Sequence, residues 1–303
     1  MKSDTKYLIS IVGPTAIGKT SLSIKLAQHF NTEILSADSR QFYKEMQIGT
    51  AAPTPQELSQ AKHHFIQHKS INESYNVGAF EKEAVNLLNT LFKTHTIVIM
   101  VGGSGLYVDA VTKGLDYFPE IDKSIRERLN LQLKNEGIKT LQDQLKILDP
   151  ESYNTITIDN PQRLIRALEI CIGTNKPYSS FLNKNKNKRH FKTITIGLTA
   201  EREIIYNRIE KRVDLMLEAG QLKEAKSLYN KKDLNALNTV GYKELFKYFD
   251  NEWTLEFAIS EIKKNTRRFA KRQLTWFKRN ENTSWFNYKT PINDIIKAID
   301  LKI

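Results

Sequence analysis

The chain has 303 residues, 40% hydrophobic and 26% charged, which is enough to bury a full core and too apolar for a disordered polymer. Its 46 basic and 34 acidic residues leave a net charge of +12, which points to a polyanionic partner, either nucleic acid or an anionic surface, and away from an acidic one. Cys171 is the single cysteine, which excludes an intramolecular disulfide and a cysteine-rich zinc site, and no apolar run reaches the ~20 residues that a membrane span needs.

Residues 7–12 (YLISIV) read as a short buried strand that begins too early to leave room for a signal peptide, so a cytoplasmic protein without membrane attachment is expected. The next eight residues, Gly13, Pro14, Thr15, Ala16, Ile17, Gly18, Lys19 and Thr20, match G-x-x-x-x-G-K-[ST] at every fixed position. Residues 21–30 read as a helix with Leu22, Leu26, Ala27 and Phe30 inward. Strand, glycine-rich turn and helix together surround an oligophosphate with backbone N–H groups and a helix N-terminus. Lys19 would reach the terminal phosphates, and the Thr20 hydroxyl would ligate Mg²⁺. Taken alone, the loop suggests ATP but leaves open which molecule owns the phosphates.

Residues 33–37 predict a second strand running into Asp38, Ser39, Arg40 and Gln41. An amphipathic helix is expected over 80–92, with Phe80, Ala84, Leu87, Leu88 and Leu91 inward. A fully apolar strand follows over 96–101 and ends in a Gly-Gly-Ser-Gly turn at 102–105. Buried strands alternating with helices predict an α/β fold, a P-loop NTPase-like parallel sheet flanked by helices. Ligands bind beyond the carboxyl ends of such strands, so the loops at 13–20, 38–41 and 102–107 should converge on one site. There Asp38 could hold Mg²⁺ through water, accept a proton, or simply cap a helix, and Ser104 offers a hydroxyl. His63, His64 and His68 lack a matching ligand set and read as polar packing or loop contacts rather than a metal site.

Over 116–190 the pattern is helical only, which predicts an all-helical insertion domain interrupting a core of 1–115 and 191–303. Asn160 and Pro161 suit an N-cap and first helical position, and Gly173 suits a C-cap. Gln162, Arg163 and Arg166 offer contacts to bases and phosphates, while Leu164, Leu168 and Cys171 face the core. The tract 183–189 is basic and of low complexity, and reads as a mobile loop. Residues 192–198 return the chain to the sheet, and everything from Glu201 is expected to be helical except the tail. Residues 263–279 hold eight basic residues and no acidic one. Ile262, Phe269 and Trp276 form an inward stripe there, and the rest of the surface reads as a rail for a phosphate backbone, with Arg268, Lys271 and Arg272 as contacts.

These segments, taken in order, resemble the tRNA dimethylallyltransferases (tRNA isopentenyltransferases) of the bacterial type, without the zinc finger of eukaryotic members. The matching blocks are GPTAIGKT (13–20), SADSRQFY (36–43), GTAAPT (49–54), HHFI (63–66), GGSGLY (102–107), NPQRLIRALE (160–169), GYKEL (241–245) and TRRFAKRQLTWFKR (266–279). The resemblance implies transfer of a dimethylallyl group from dimethylallyl diphosphate to N6 of the adenosine 3′ to the tRNA anticodon, with Mg²⁺ and release of diphosphate, by a cytoplasmic monomer. It makes residues 13–20 the diphosphate cradle, Asp38 the general base, and Ser104 and Arg212 further catalytic residues. It also implies that Asp38, Ser39, Arg40, Gln41, Ser104, Arg126, Gln162, Arg163, Leu164, Ile165 and Arg166 contact tRNA. The chain departs from the family pattern at Ile17, where a small residue is usual, at Ala52 in place of Lys, and at Gln67 in place of Asp. On the residues alone two other readings stand: a P-loop kinase with Asp38 as base for a substrate hydroxyl, and an RNA-binding protein regulated by a nucleotide.

Overall fold

The computed structural model describes residues 5–182 and 189–303, so the expected mobile tract lies, apart from Arg189, outside the described residues. Six strands form one sheet in the order β3-β2-β4-β1-β5-β6: β1 (Tyr7–Val12), β2 (Ile34–Ser36), β3 (His63–His64), β4 (Ile97–Val101), β5 (Lys192–Thr199) and β6 (Ser284–Asn287). Every pairing is parallel. All six β1 residues are buried, as a strand covered on both faces requires. Their side chains alternate between two cores: Leu8 and Val12 pack with Phe80, Met100 and Tyr242, and Ile9 and Ile11 with Leu26, Ile196 and Ile295. The chain winds to one side of β1 through β4, β2 and β3, then to the other through β5 and β6. β1 therefore stands where the winding reverses, the place at which open parallel sheets bind ligands.

Several expected boundaries shift for local reasons. The helix after β1 spans Lys19–His29, beginning at the loop lysine itself, with Gly18 (φ 108°) as its N-cap. The next long helix starts earlier than expected, at Val77, because the Asn76 side chain accepts the Ala79 N–H and caps it there. Gly173 lies inside the helix Pro161–Thr174, and Asn175 (φ 54°) supplies the left-handed C-cap instead. Two strands escaped the sequence reading. β3 is only two residues long, and β6 lies in the tail, for which no element was expected. Both are edge strands, where one or two apolar side chains suffice and no periodicity develops.

The chain forms two compact units, Met1–Thr112 with Arg189–Ile303, and Lys113–Lys188. The first carries the sheet. The second is a bundle of the helices Lys123–Glu136, Ile138–Leu148, Pro150–Thr155 and Pro161–Thr174 around Leu129, Leu141, Leu145, Leu164 and Leu168. Cys171 is buried in that bundle, and burial pushes its thiol pKa up. Among the described residues no helix is long and apolar enough to cross a membrane.

Candidate active site

The three expected loops leave β1, β2 and β4 at their carboxyl ends and line one cavity of about 720 Å³ inside the sheet-bearing unit. Thr15, Asp38, Ser104 and Arg212 form polar parts of its wall, and Ile209, Val213, Met216, Val240 and Trp276 form apolar parts. The cavity thus offers an anion-binding region and a greasy one.

Gly13 adopts φ 141°, and a Cβ there would lie 2.5 Å from the Leu198 carbonyl oxygen of β5, so only glycine allows this close approach. Ile17, the departure from the usual small residue, is 2% exposed and packs in the core beside Leu22, so only its backbone serves the loop. Lys19 Nζ donates to the Pro14 carbonyl at 2.7 Å. Enclosure of its ammonium pushes the pKa down to about 8, opposed by the nearby Asp38 carboxylate and reinforced by Arg212. Burial likewise lowers the Arg212 pKa. Lys19, Arg208 and Arg212 outnumber the carboxylates of Asp38 and Glu57 that act on them and leave an unbalanced positive field, which is the electrostatic signature of an anion site. Arg208 steadies the loop from outside: its Nε donates to the Ala16 carbonyl at 2.7 Å, and its guanidinium lies 5.1 Å from the Tyr288 ring centre.

The turn after β2 is closed by its own side chains. Asp38 Oδ1 accepts the Arg40 N–H at 3.1 Å, and Ser104 Oγ accepts the Ser39 N–H at 3.0 Å. The Arg40 guanidinium donates to the carbonyls of Asn235 and Ala236, each at 3.0 Å, and Gln41 Nε2 donates to those of Thr50 and Ala51. Asp38, Ser39, Arg40 and Ser104 all line the cavity, while the polar ends of Arg40 and Gln41 are engaged within the protein. Arg212 Nη2 approaches the Ala51 carbonyl at 3.5 Å.

On the long helix Leu255–Phe277 the buried positions are Ala258, Ile262, Ala270, Gln273 and Phe277. The expected stripe is therefore corrected at Phe269, which is 37% exposed. At about 100° per residue Phe269 falls within the buried arc, between Ala258 and Ile262, and it is open because it and Trp276 line the cavity. Lys263, Lys264 and Arg267 are ion-paired with Asp214, Glu261 and Glu210, whereas Arg268, Lys271 and Arg272 are exposed. The cationic rail is thus narrower than the sequence implied.

In the helical unit, Asn160 Oδ1 accepts the N–H groups of Gln162 and Arg163 and starts the helix at Pro161. Gln162 and Arg163 are exposed, but Leu164 and Ile165 are 0% and 1% exposed. Their side chains hold the helix in its core, and the neighbouring polar residues form the surface of this segment. Glu169, 6% exposed, receives Arg166 at 2.9 Å and Arg126 at 3.6 Å. The Arg166 guanidinium also lies 5.2 Å from the Phe118 ring centre. One buried carboxylate thus gathers two of the expected contact arginines.

His63 and His64 form β3, with His64 bonded to Glu33, and His68 packs edge-on against Phe42, Phe65 and Tyr75. No cluster of three or more His, Cys, Asp or Glu side chains able to hold a metal occurs among the described residues. The oxygens that could share an ion with a bound diphosphate are those of Thr20 and Asp38. That donor set suits Mg²⁺, which is commonly held by one or two protein oxygens, substrate phosphates and water.

Sequence reasoning missed three residues that organise the site. Glu224 accepts the N–H groups of Gln47, Ile48 and Gly49, fixing a loop that lines the cavity. Tyr242, fully buried, donates to Glu224. Gln273 bonds to both the phosphate loop and the turn after β4. The usable signal for Gln273 was an uncharged polar residue on the buried arc of an otherwise cationic helix.

The family model described as IPP transferase matches residues 41–280. The chain is 63% identical over 300 residues to a tRNA dimethylallyltransferase of Flavobacterium johnsoniae, covering 97% of each chain, and 61% identical over 299 residues to one of Christiangramia forsetii, covering 99% of each. It is similar to the crystal structure of a full-length tRNA isopentenylpyrophosphate transferase from Bacillus halodurans (TM-score 0.73, 38% identity, 98% of this chain and 96% of that one). It is also similar to a eukaryotic dimethylallyltransferase captured acting on tRNA (TM-score 0.79, 28% identity, 94% of this chain and 75% of that one). With the family model spanning most of its length and such relatives along nearly all of it, the chain belongs to the IPP transferase family.

Proposed function

We propose that the chain transfers a dimethylallyl group from dimethylallyl diphosphate to N6 of the adenosine 3′ to the anticodon in tRNA, releasing diphosphate. The observation that carries this reading is the single cavity in which Thr15, Asp38, Ser104 and Arg212 share walls with Ile209, Val213, Met216 and Trp276. An anion region joined to an apolar one suits a prenyl diphosphate. A small-molecule kinase has no use for the exposed cations Arg268, Lys271 and Arg272 of the long helix.

In the reaction, the C–O bond between the prenyl carbon and the diphosphate breaks, a C–N6 bond forms, and the N6 proton passes to Asp38. An exocyclic amine conjugated to its ring is a weak nucleophile, so Asp38 orients it and accepts the proton as the bond forms. The loop N–H groups, Lys19 and Arg212 stabilise the negative charge that builds on the departing diphosphate. Mg²⁺, when bound by Thr20 and the diphosphate, supplies further neutralisation of that charge. The adenosine must leave its stack to reach the cavity, which costs least in a single-stranded loop. Arg126, Arg163 and Arg166 on the helical unit, and Arg268, Lys271 and Arg272 on the sheet-bearing unit, provide cations for the RNA backbone, and Gln162 offers it neutral hydrogen bonds.

Purified protein, Mg²⁺, labelled dimethylallyl diphosphate and an unmodified anticodon stem-loop should suffice to move label onto the RNA. ATP consumption without label transfer would favour a kinase and overturn this reading.

A further inference from the structure

Two loops must be held in register for such a transfer: the phosphate loop after β1, which carries the leaving group, and the turn after β4, which supports the base. They leave adjacent parallel strands, and the β1–β4 backbone bond nearest to them, from the Gly102 N–H to the Ile11 carbonyl at 3.2 Å, does not reach Thr15 or Gly103. Gln273 does. Its Oε1 accepts the Thr15 N–H at 2.8 Å and its Nε2 donates to the Gly103 carbonyl at 2.9 Å. The residue is 5% exposed, yet it borders the cavity.

We propose that Gln273 is a positioning residue for the transfer reaction, its carboxamide locking the phosphate loop to the turn at Gly103 and so setting the spacing between the leaving diphosphate and the amine activated by Asp38. The inference rests on the functional reading above. The bonded path is continuous: Thr15 to Gln273, Gln273 to Gly103, and from the adjoining Ser104 to the Ser39 N–H, one residue from Asp38. A carboxamide accepts from the N–H with one atom and donates to the C=O with another; a carboxylate lacks the donor, and a thioether lacks the donor and accepts only weakly. The turn is shaped around it, since a Cβ on Gly103 would lie 2.3 Å from Gln273 Nε2. A side chain kept for stability alone would not need to join the two loops that carry opposite ends of the reaction. Reacting atoms misplaced by an ångström lose on the order of 100-fold in rate, so loosening this tie should appear in turnover.

The test compares the parent with Gln273→Met, which keeps length and burial but removes both hydrogen bonds, using labelled dimethylallyl diphosphate and an anticodon stem-loop. The expected result is a kcat lower by about 30- to 100-fold, with KM for the diphosphate and Kd for the RNA within threefold of the parent. Gly103→Ala, whose methyl group displaces the carboxamide, should lose turnover to a similar degree, and Gln273→Ser/Gly103→Ala should be no worse than the poorer of Gln273→Ser and Gly103→Ala. Gln273→Met turnover within threefold of the parent, a loss confined to KM, or multiplying losses in the double variant would each overturn the positioning role. A parent protein that transfers no label would overturn the functional reading itself, whereas an active parent beside an unimpaired Gln273→Met would remove only the inference about Gln273.

Discussion

The Tyr242 hydroxyl donates to Glu224 Oε1 at 2.6 Å, and the same carboxylate receives the N–H groups of Gln47, Ile48 and Gly49 at 2.8–3.0 Å. One side chain thereby closes a loop whose residues Gly49, Thr50 and Ala51 line the cavity. Burial and the adjacent Glu224 charge raise the Tyr242 pKa, so its hydroxyl stays protonated and available as a donor. Glu224→Ala leaves three N–H groups and the Tyr242 hydroxyl without their acceptor, and should destabilise the protein by about 2–4 kcal/mol. Tyr242→Phe loses one charge-assisted bond and should cost about 1–2 kcal/mol. Chemical denaturation at neutral pH measures both; a Glu224→Ala midpoint equal to the parent's would contradict the role of the carboxylate.

Lys19 gives the site a pH dependence. Its folded-state pKa of about 8 lies below the ordinary 10.5, so the unfolded chain binds more protons between those values and stability rises with pH across that window in the ligand-free protein. Below pH 8 the ammonium is charged in both states and its contribution is flat. Diphosphate binding reverses the sense, because the anion favours the charged ammonium: affinity should fall as pH climbs above about 8, with proton uptake on binding. Calorimetry of diphosphate binding at pH 8.5 in two buffers of different ionisation enthalpy would detect that uptake. Lys19→Met should abolish it.

Asp38→Asn keeps the shape of the turn, including an oxygen for the Arg40 N–H, but cannot accept the amine proton. Single-turnover transfer should fall by about 10²- to 10⁴-fold while RNA affinity stays within twofold. Near-parental turnover would take Asp38 out of the base role.

Arg163→Glu/Arg166→Glu reverses two cations on the helical unit and sets a new carboxylate beside Glu169, the present partner of Arg166. RNA affinity should drop by at least tenfold, and the slope of log affinity against log salt should become shallower by about two, while diphosphate binding is unchanged. A filter-binding series from low to moderate salt reads both quantities, and an unaltered slope would refute the contact.

Much of the fold was legible because β1 and β4 are apolar on both faces and the loop 13–20 has only one common structural context. Asp38 and Ser104 were legible for the same reason, since each follows a strand end. Gln273 and Glu224 were not, because neither belongs to a local pattern. Gln273 acts on residues 258 and 170 positions away, and Glu224 on backbone N–H groups about 175 positions away. Local periodicity carries no information about partners so distant. β3 and β6 were missed because strands of two and four residues at a sheet edge need almost no apolar alternation. Leu164 and Ile165 show the converse: a contiguous motif was carried over whole, although the helix turns two of its five side chains into the core.

β1 takes β4 on one side and β5 on the other, yet β5 begins only at Lys192, after the whole helical unit. A ribosome adding about 5–20 residues per second therefore leaves roughly 10 to 40 s between the emergence of the first strand and that of its second neighbour. Throughout that interval a row of unpaired backbone groups on a largely apolar strand has no partner in its own chain. A nascent protein stalled before residue 192 would present a sticky sheet edge, so synthesis of this enzyme should lean on chaperones most heavily while its insertion is being made.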